Sequence, residues 1–435
     1  MVPRDYQIQL ADWVSVKINR RELLAGGMGV FAYRQDTFAA LSTLFQQPGG
    51  PEDEMFWSEI GKKFVLDTKY TVFNNVGLAP PSRLVQETME RESYRASSDP
   101  SYHIWRSQDR ELEGIRSELA EFIGCKKTEL ALSINSSYGL HTTIMGVSLQ
   151  PGDEILTTNH DYPRVHTAIQ QRRLREGVVP VVVDLGQHSL AKKEIVSKVL
   201  ASVTPKTKLV VLSQISFLIG QIMPIKELAT ELTKKGIPLL LDSAQATCIQ
   251  EEKFEDLGAP ILVTCFHKWM MGPIGTGAMV VKEDHIKSIW PLHPADESLY
   301  GQISKFEQIG TRPAAPFLAL REALQLHQLI GLKLKVDRLV YLRKRLAEHF
   351  VHLPGVRLYS SLDPTICLPM LTVGFEKAST LDLASWLLTK HGIHVTVAVR
   401  SGLDGIRISP NIFTSLEDVN RLGKLLSRVP KDGIP

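Results

Sequence analysis

Leu239-Leu240-Leu241-Asp242-Ser243-Ala244-Gln245 is a run of leucines that stops at an acid. A short, wholly apolar run bounded by turn residues reads as a strand buried on both faces, the kind found at the centre of a parallel sheet. Its last residue then stands at the carboxyl end of the strand, where open α/β sheets form their sites. Asp is also a favoured helix cap, and on this segment alone a cap and a functional carboxylate weigh about equally.

Further apolar runs recur outward from this one, at residues 154–158, 178–185, 208–213 and 261–266, with amphipathic helical patterns between most of them, as at 192–203 and 225–235. Strands alternating with helices predict right-handed crossovers and an α/β fold: a mainly parallel sheet with helices on both faces. Upstream, Leu112, Ile115, Leu119 and Ile123 recur at helical spacing, and Gly124 is placed to end that helix. Downstream, a long helical stretch at 317–350 leads into runs at 356–359, 371–375, 395–399 and 406–409, with a helix near 381–391, which reads as a smaller C-terminal α+β domain. A chain of 435 residues exceeds what one core usually organises. The expected layout is an irregular N-terminal arm over 1–70, a large domain over 71–325 and a small domain over 326–435.

The arm holds a Pro/Gly-rich break at Gln47-Pro48-Gly49-Gly50-Pro51. Asn19-Arg20-Arg21-Glu22-Leu23-Leu24 and the short apolar stretch after it resemble a degenerate twin-arginine export signal. Arg34 and Asp36 cut that stretch short and no small-residue cleavage site follows. A cytoplasmic location is therefore expected, with periplasmic export as the alternative.

The formal net charge is +3, and no Lys/Arg block interleaves with aromatics, so no nucleic-acid partner is expected. No apolar run approaches the roughly 20 residues of a membrane helix, so no membrane partner is expected either. The four cysteines, Cys125, Cys248, Cys265 and Cys367, stand far apart with no Cys-x-x-Cys pair, which argues against a zinc site and a disulfide framework. Small-molecule chemistry remains.

The next sheet segment, Val263-Thr264-Cys265-Phe266-His267-Lys268-Trp269, ends in a histidine and a lysine and is followed by Gly272-Pro273-Ile274-Gly275-Thr276-Gly277. A lone strand-end lysine is ordinarily a solvated surface residue, but that does not account for the acid, the histidine and the glycine loop together. Lys268 should reach the crevice that Asp242 enters. Pyridoxal phosphate (PLP) needs both groups, an amine to hold its aldehyde and a carboxylate to keep its pyridine nitrogen protonated so that the ring accepts carbanion electrons. Its phosphate needs a cradle, and Ser133-Ile134-Asn135-Ser136-Ser137-Tyr138-Gly139-Leu140 puts hydroxyls and amides where a helix begins, although simple Asn/Ser capping explains that segment equally well. A nicotinamide-dependent oxidoreductase is the rival reading of the glycines. It fails on context, because Ala278-Met279-Val280-Val281 reads as a strand, whereas a dinucleotide fingerprint opens a helix.

Four motifs in order, Asn-Ser-Ser-Tyr-Gly at 135–139, Asn-His-Asp-Tyr-Pro at 159–163, Asp-Ser-Ala-Gln at 242–245 and His-Lys-Trp-Met-Met-Gly-Pro-Ile-Gly-Thr-Gly at 267–277, carry a resemblance. From about Asn74 onward the chain resembles the class V aminotransferase-fold family of fold-type I PLP enzymes, and most of all its isopenicillin-N-epimerase-like branch. The resemblance implies that Lys268 is the Schiff-base lysine, that Asp242 pairs with the pyridine nitrogen, and that Gln245 bonds the ring's phenolic oxygen. It implies that His160 stacks on the ring, with Tyr162 close enough to compete, and that Ser136, Ser137 and His267 bind phosphate. Gly310-Thr311 would complete the phosphate site from the neighbouring subunit, which implies a homodimer. In Gly405-Ile406-Arg407-Ile408-Ser409-Pro410, Arg407 would grip the substrate α-carboxylate, a task suited to a bidentate guanidinium.

Two positions depart from the family pattern: Cys265 stands where relatives commonly carry a phosphate-binding serine, and Phe217 where many carry an asparagine. The implied activity is labilisation of an amino-acid Cα by an epimerase or aminotransferase. The alternatives are a C–S or other β-eliminating lyase and a non-catalytic PLP-binding regulatory protein. Tyr102, His103 and Tyr138 are candidates for a second proton route on the face opposite Lys268. Cysteine desulfurases of this fold use a cysteine on a loop shortly before the carboxylate-binding arginine; residues 393–405 contain none, so a persulfide-forming enzyme is not expected.

Overall fold

The computed structural model describes Phe45 and residues 49–434; the arginine pair of the expected export signal lies outside them. From the N-terminal side, α1 (Glu54–Gly61), β1 (Thr71–Val72), α2 (Arg83–Ser98) and α3 (Asp109–Ile123) precede the main sheet. Then come β2 (Leu130–Ser133), α4 (Ser136–Gly146), β3 (Glu154–Thr158), α5 (Pro163–Glu176), β4 (Val179–Val183), α6 (Lys192–Ala201) and β5 (Thr207–Ser213). After these follow α7 (Ile225–Lys234), β6 (Leu239–Asp242), β7 (Ile261–Cys265) and β8 (Gly277–Val281). The C-terminal part holds α8 (Leu320–Ile330), α9 (Leu332–Ala347), β9 (Val356–Leu358), β10 (Leu371–Phe375), α10 (Thr380–His391), β11 (Ile393–His394), β12 (Thr396–Arg400), β13 (Leu403–Ile408) and α11 (Leu416–Leu426).

The main sheet has seven strands in the order β2-β8-β7-β6-β5-β3-β4. All neighbours pair in parallel except around β8, which is antiparallel to both β7 and β2. The leucine run is buried because side chains alternate across a pleated sheet: Leu239 and Leu241 join the apolar cluster on one face, and Leu240 joins the cluster on the other. The same division splits Val210 and Leu212 from Leu209 and Val211 on β5. Gly124 ends α3 in the left-handed conformation, at φ 81°. The long helical stretch divides at Gly331, at φ 78°, into α8 and α9.

A second sheet, antiparallel and ordered β12-β13-β10-β9, lies in the C-terminal part. Ile406 and Ile408 of β13 join Leu371 and Val373 of β10 in a core with Leu342, Leu346 and Leu422 from α9 and α11. The opposite face carries Leu403 and Arg407 and turns toward the main sheet, where Leu403 packs with Leu218 and Ile219.

One expectation needs correction. The arm before residue 70 is not irregular throughout: residues 54–61 form α1, capped by Asp53, whose Oδ1 accepts from the Phe56 amide at 3.1 Å. Phe56, Trp57 and Ile60 are buried. Arg338, wholly buried, binds the Glu54 carboxylate and donates to the carbonyls of Pro51 at 2.9 Å and Thr414 at 3.1 Å. The chain then pairs Thr71 with Ile393 in the two-stranded β1–β11 sheet. Both anchors fix residues 65–70 between them, along the wall of the cavity described below.

Among the described residues no helix is long and apolar enough to cross a membrane, no His/Cys/Asp/Glu group could hold a metal ion, and the four cysteines are free.

Candidate active site

A cavity of ≈ 1190 Å³ lies between the carboxyl ends of the main-sheet strands and the second sheet, and both Asp242 and Lys268 line it. Asp242 ends β6, is buried, and accepts from the Ala244 amide at 3.0 Å. Burial pushes its carboxyl from 3.8 to about 6, while the Lys268 charge and the Ala244 amide pull it down. Lys268 follows β7 on a loop that closes on itself. Gly272 donates to the Phe266 carbonyl at 2.8 Å, and Thr276 Oγ1 donates to the Pro273 carbonyl at 2.6 Å. The two motif segments are tied together: Trp269 Nε1 donates to Gln245 Oε1 at 2.9 Å, and Gln245 Nε2 donates to the Val76 carbonyl at 3.1 Å. Gln245 lines the cavity, and its amide retains one N–H beyond the Val76 bond.

At another side of the cavity, Ser136 and Ser137 begin α4. Asn135 caps the helix by accepting from the Tyr138 amide at 2.8 Å, so this first turn, whose amides have no intrahelical acceptor, opens toward the cavity. Gly277 is required beside it: a Cβ there would meet the Thr264 carbonyl at 2.5 Å and Asn135 Cα at 3.0 Å. His267 also lines the cavity, buried, with Nδ1 unpartnered. Burial first, then the Lys268 charge, lowers its pKa to about 4, so the ring is neutral at ordinary pH. Cys265 is fully buried next to Ser136, and burial raises its thiol pKa.

Arg407 comes to the cavity from β13. It is 7 % exposed, donates from Nη1 to the Phe217 carbonyl at 2.6 Å, and stacks over the Phe217 ring at 5.7 Å. Its Nε has no partner, and among the described residues no carboxylate pairs with it. Burial lowers its pKa from 12.5 to about 10. Phe217, at the departure from the family pattern, thus meets this arginine through both its carbonyl and its ring.

Other expected residues lie elsewhere. His160 is buried, with Nε2 against the Gly186 carbonyl at 2.8 Å, and does not line the cavity; Tyr162 from the same loop does, its ring edge-on to Phe217 at 5.6 Å. Burial lowers the His160 pKa. Thr311 is exposed, on a loop outside its own chain's cavity. The second-face candidates are not brought to the cavity. Tyr102 is exposed, His103 opens a π-helical turn, and the Tyr138 hydroxyl faces the Phe306 carbonyl at 3.4 Å, because helix N-terminal position alone did not orient that ring inward. Cys367 is buried away from it, its Sγ 3.1 Å from Ser189 Oγ.

Sequence reasoning passed over Asp161. Its carboxylate accepts from Thr157 Oγ1 at 2.9 Å, from the Thr158 amide and hydroxyl at 2.8 Å, and from the Ser213 amide at 2.6 Å, clamping the ends of β3 and β5. The signal was present, an acid just past two strand-end threonines. Arg400, which also lines the cavity, was passed over as well; it was readable as a cation at a strand end before Ser401-Gly402.

Residues 79–422 match the family model described as Aminotransferase class-V. Isopenicillin N epimerase of Streptomyces clavuligerus is 23% identical over 391 residues, 85% of this chain and 97% of that protein. A protein of Mycolicibacterium paratuberculosis named "Probable cysteine desulfurase" is 26% identical over 345 residues, 74% of this chain and 49% of that one. Among solved structures, the apo cysteine desulfurase of Thermococcus onnurineus NA1 has a TM-score of 0.73 at 22% identity, covering 88% of this chain and 99% of that one. The cystine C-S lyase C-DES, solved with its product cysteine persulfide, has a TM-score of 0.74 at 20% identity, covering 83% and 98%.

The residues present fit PLP. An amine and an acid line the same cavity, a helix start opens on it, and an unpartnered buried imidazole nitrogen stands at its wall. With the family model spanning most of its length over this architecture, the chain belongs to the aminotransferase class-V family of PLP-dependent enzymes.

Proposed function

We propose that this enzyme labilises the Cα proton of an amino acid, in the manner of an epimerase or aminotransferase, with Lys268 as the Schiff-base lysine. The observation that carries the reading is Arg407: a buried guanidinium with no acid of its own, in the cavity that Lys268 and Asp242 share. An unpaired buried cation is costly, and a substrate α-carboxylate supplies the missing partner in bidentate geometry. Bound PLP supplies an electron-accepting ring next to the substrate Cα.

The chain's own groups then divide the work. The Lys268 amine carries the proton on one face of Cα. Asp242, whose burial makes an unneutralised carboxylate expensive, favours a cationic partner at the ring nitrogen. The remaining Gln245 amide hydrogen is available to the phenolic oxygen. Ser136, Ser137 and neutral His267 hold the phosphate, and Thr311, exposed outside its own cavity, reaches the phosphate site of a second subunit in a homodimer. Tyr162, which lines the cavity, takes the ring-flanking place that the resemblance gave to His160.

A β-eliminating C–S lyase is the second reading, supported by the desulfurase and lyase likenesses. It would work without a loop thiol, since residues 393–405 hold no cysteine. Retention of both Lys268 and Asp242 argues against a protein that binds cofactor without turnover.

Purified protein should be yellow, borohydride should bleach its visible band, and mass spectrometry should find the adduct on Lys268. Incubation with amino acids in deuterated solvent then separates the outcomes. Deuterium at Cα with loss of chirality marks an epimerase, a keto acid marks an aminotransferase, and released sulfur marks a lyase. An adduct on another residue, or no exchange with any amino acid, overturns the proposal.

A further inference from the structure

Arg407 is not the only arginine lining the cavity. Thr396 of β12 pairs with Arg407 across the antiparallel ladder, so their side chains share a face. Residues alternate along a strand, which puts Thr396, Ala398 and Arg400 on that same face, and the whole of β12, Val397 and Val399 included, borders the cavity. Arg400 therefore stands about 13 Å further along the strand than the point opposite Arg407, at roughly 3.4 Å per residue.

The backbone that carries it is fixed. The next residues, Ser401 and Gly402, turn the hairpin with φ values of 54° and 80°, the pattern of a two-residue type I′ turn. Ser401 Oγ pins this turn by donating to the Asn159 carbonyl at 2.7 Å. The Arg400 guanidinium makes no hydrogen bond or ion pair among the described residues. Of the acids that line the cavity, Asp67 and Asp418 are engaged locally, by the Lys69 amide at 2.7 Å and the Ser415 hydroxyl at 2.6 Å. At ≈ 1190 Å³ the cavity exceeds the roughly 300–1,000 Å³ of pockets that enclose a drug-sized ligand, so it has room beyond a cofactor and a small amino acid.

We infer that Arg400 is a specificity-determining residue that receives a second carboxylate, at the far end of the substrate side chain. The substrate class is an amino acid with an acidic side chain terminus, the α-carboxylate on Arg407 and the distal one on Arg400. This rests on the proposed amino-acid chemistry of the same site.

The test titrates the cofactor absorption band of the holoenzyme with L-glutamate and L-2-aminoadipate, and with their uncharged counterparts L-glutamine and L-norleucine. Wild type should bind the acids more tightly than the counterparts. Arg400→Gln should weaken the acids on the order of 10- to 100-fold, as loss of a charge-assisted bond does, and leave the counterparts within about 2-fold. Arg400→Lys should restore part of the preference. An unchanged cofactor band in each variant reports an intact fold. Equal affinity of wild type for acids and counterparts overturns the inference, as does equal weakening of both by Arg400→Gln, which would place Arg400 on the α-carboxylate. If no amino acid moves the band at all, the proposed function falls with it.

Discussion

Asp242 lies opposite Val263 in the parallel β6–β7 register, five residues before Lys268, and the lysine's charge draws the buried carboxyl down against the upward push of burial. An acid and an amine from neighbouring strands thus meet in one cavity.

That carboxyl gives a signed pH dependence. Its folded-state pKa of about 6 lies above the unfolded 3.8, so the folded apo-protein holds the proton more tightly. The stability this contributes is present below about pH 3.8 and is lost as pH rises through about 6. Apo wild type should therefore lose about 2 kcal/mol relative to apo Asp242→Asn between pH 4 and 7. Denaturant melts of both proteins across that range check this, and a constant difference would refute it. The same variant should lose turnover by about 100-fold or more, as removal of a positioned charge does.

Arg407 should show opposite effects on binding and stability. Truncation to Ala or Met should weaken substrate binding by about 2 to 5 kcal/mol, since the substrate carboxylate would be left without its buried partner. The apo-protein should melt no lower, because an unpaired buried cation has been removed. Spectral titration and thermal melts together measure the pair of effects. A destabilised variant with unchanged affinity would make Arg407 a structural residue.

The neighbouring aromatics should separate. Tyr162→Ala should shift the cofactor band and weaken cofactor retention. His160→Ala should chiefly lower stability, by about 1 to 3 kcal/mol, through loss of a buried bond to the Gly186 carbonyl. The reverse outcome returns the ring-flanking place to His160.

Arg338→Met would take this donor from the carbonyls of Pro51 and Thr414 and leave Glu54 with the Leu416 amide alone. Leaving those buried acceptors without a donor should cost about 1 to 3 kcal/mol. Limited proteolysis should then cut residues 49–72 faster, and substrate affinity should fall with the loosened wall.

The main sheet was legible because a strand covered on both faces has no polar option until it ends, so Asp242 and Lys268 stood out against apolar runs. The strand at residues 278–281 was legible too, but its direction was set by the tight 266–277 loop, too short for a parallel crossover. Helix α1 was not legible. Eight residues make a marginal helix alone, and this one is held by Arg338, 284 positions away from Glu54. Tyr102, His103 and Tyr138 lie off the cavity for a related reason: residue type alone says nothing about which way a ring points.

Val65, Leu66, Asp67, Thr68 and Tyr70 line the cavity, yet they precede the family match that begins at residue 79. Part of the cavity's roof thus comes from outside the stretch that the family model spans. Grafting that roof onto a relative, or replacing it here, would be the economical way to redirect which molecules are admitted without disturbing the chemistry beneath.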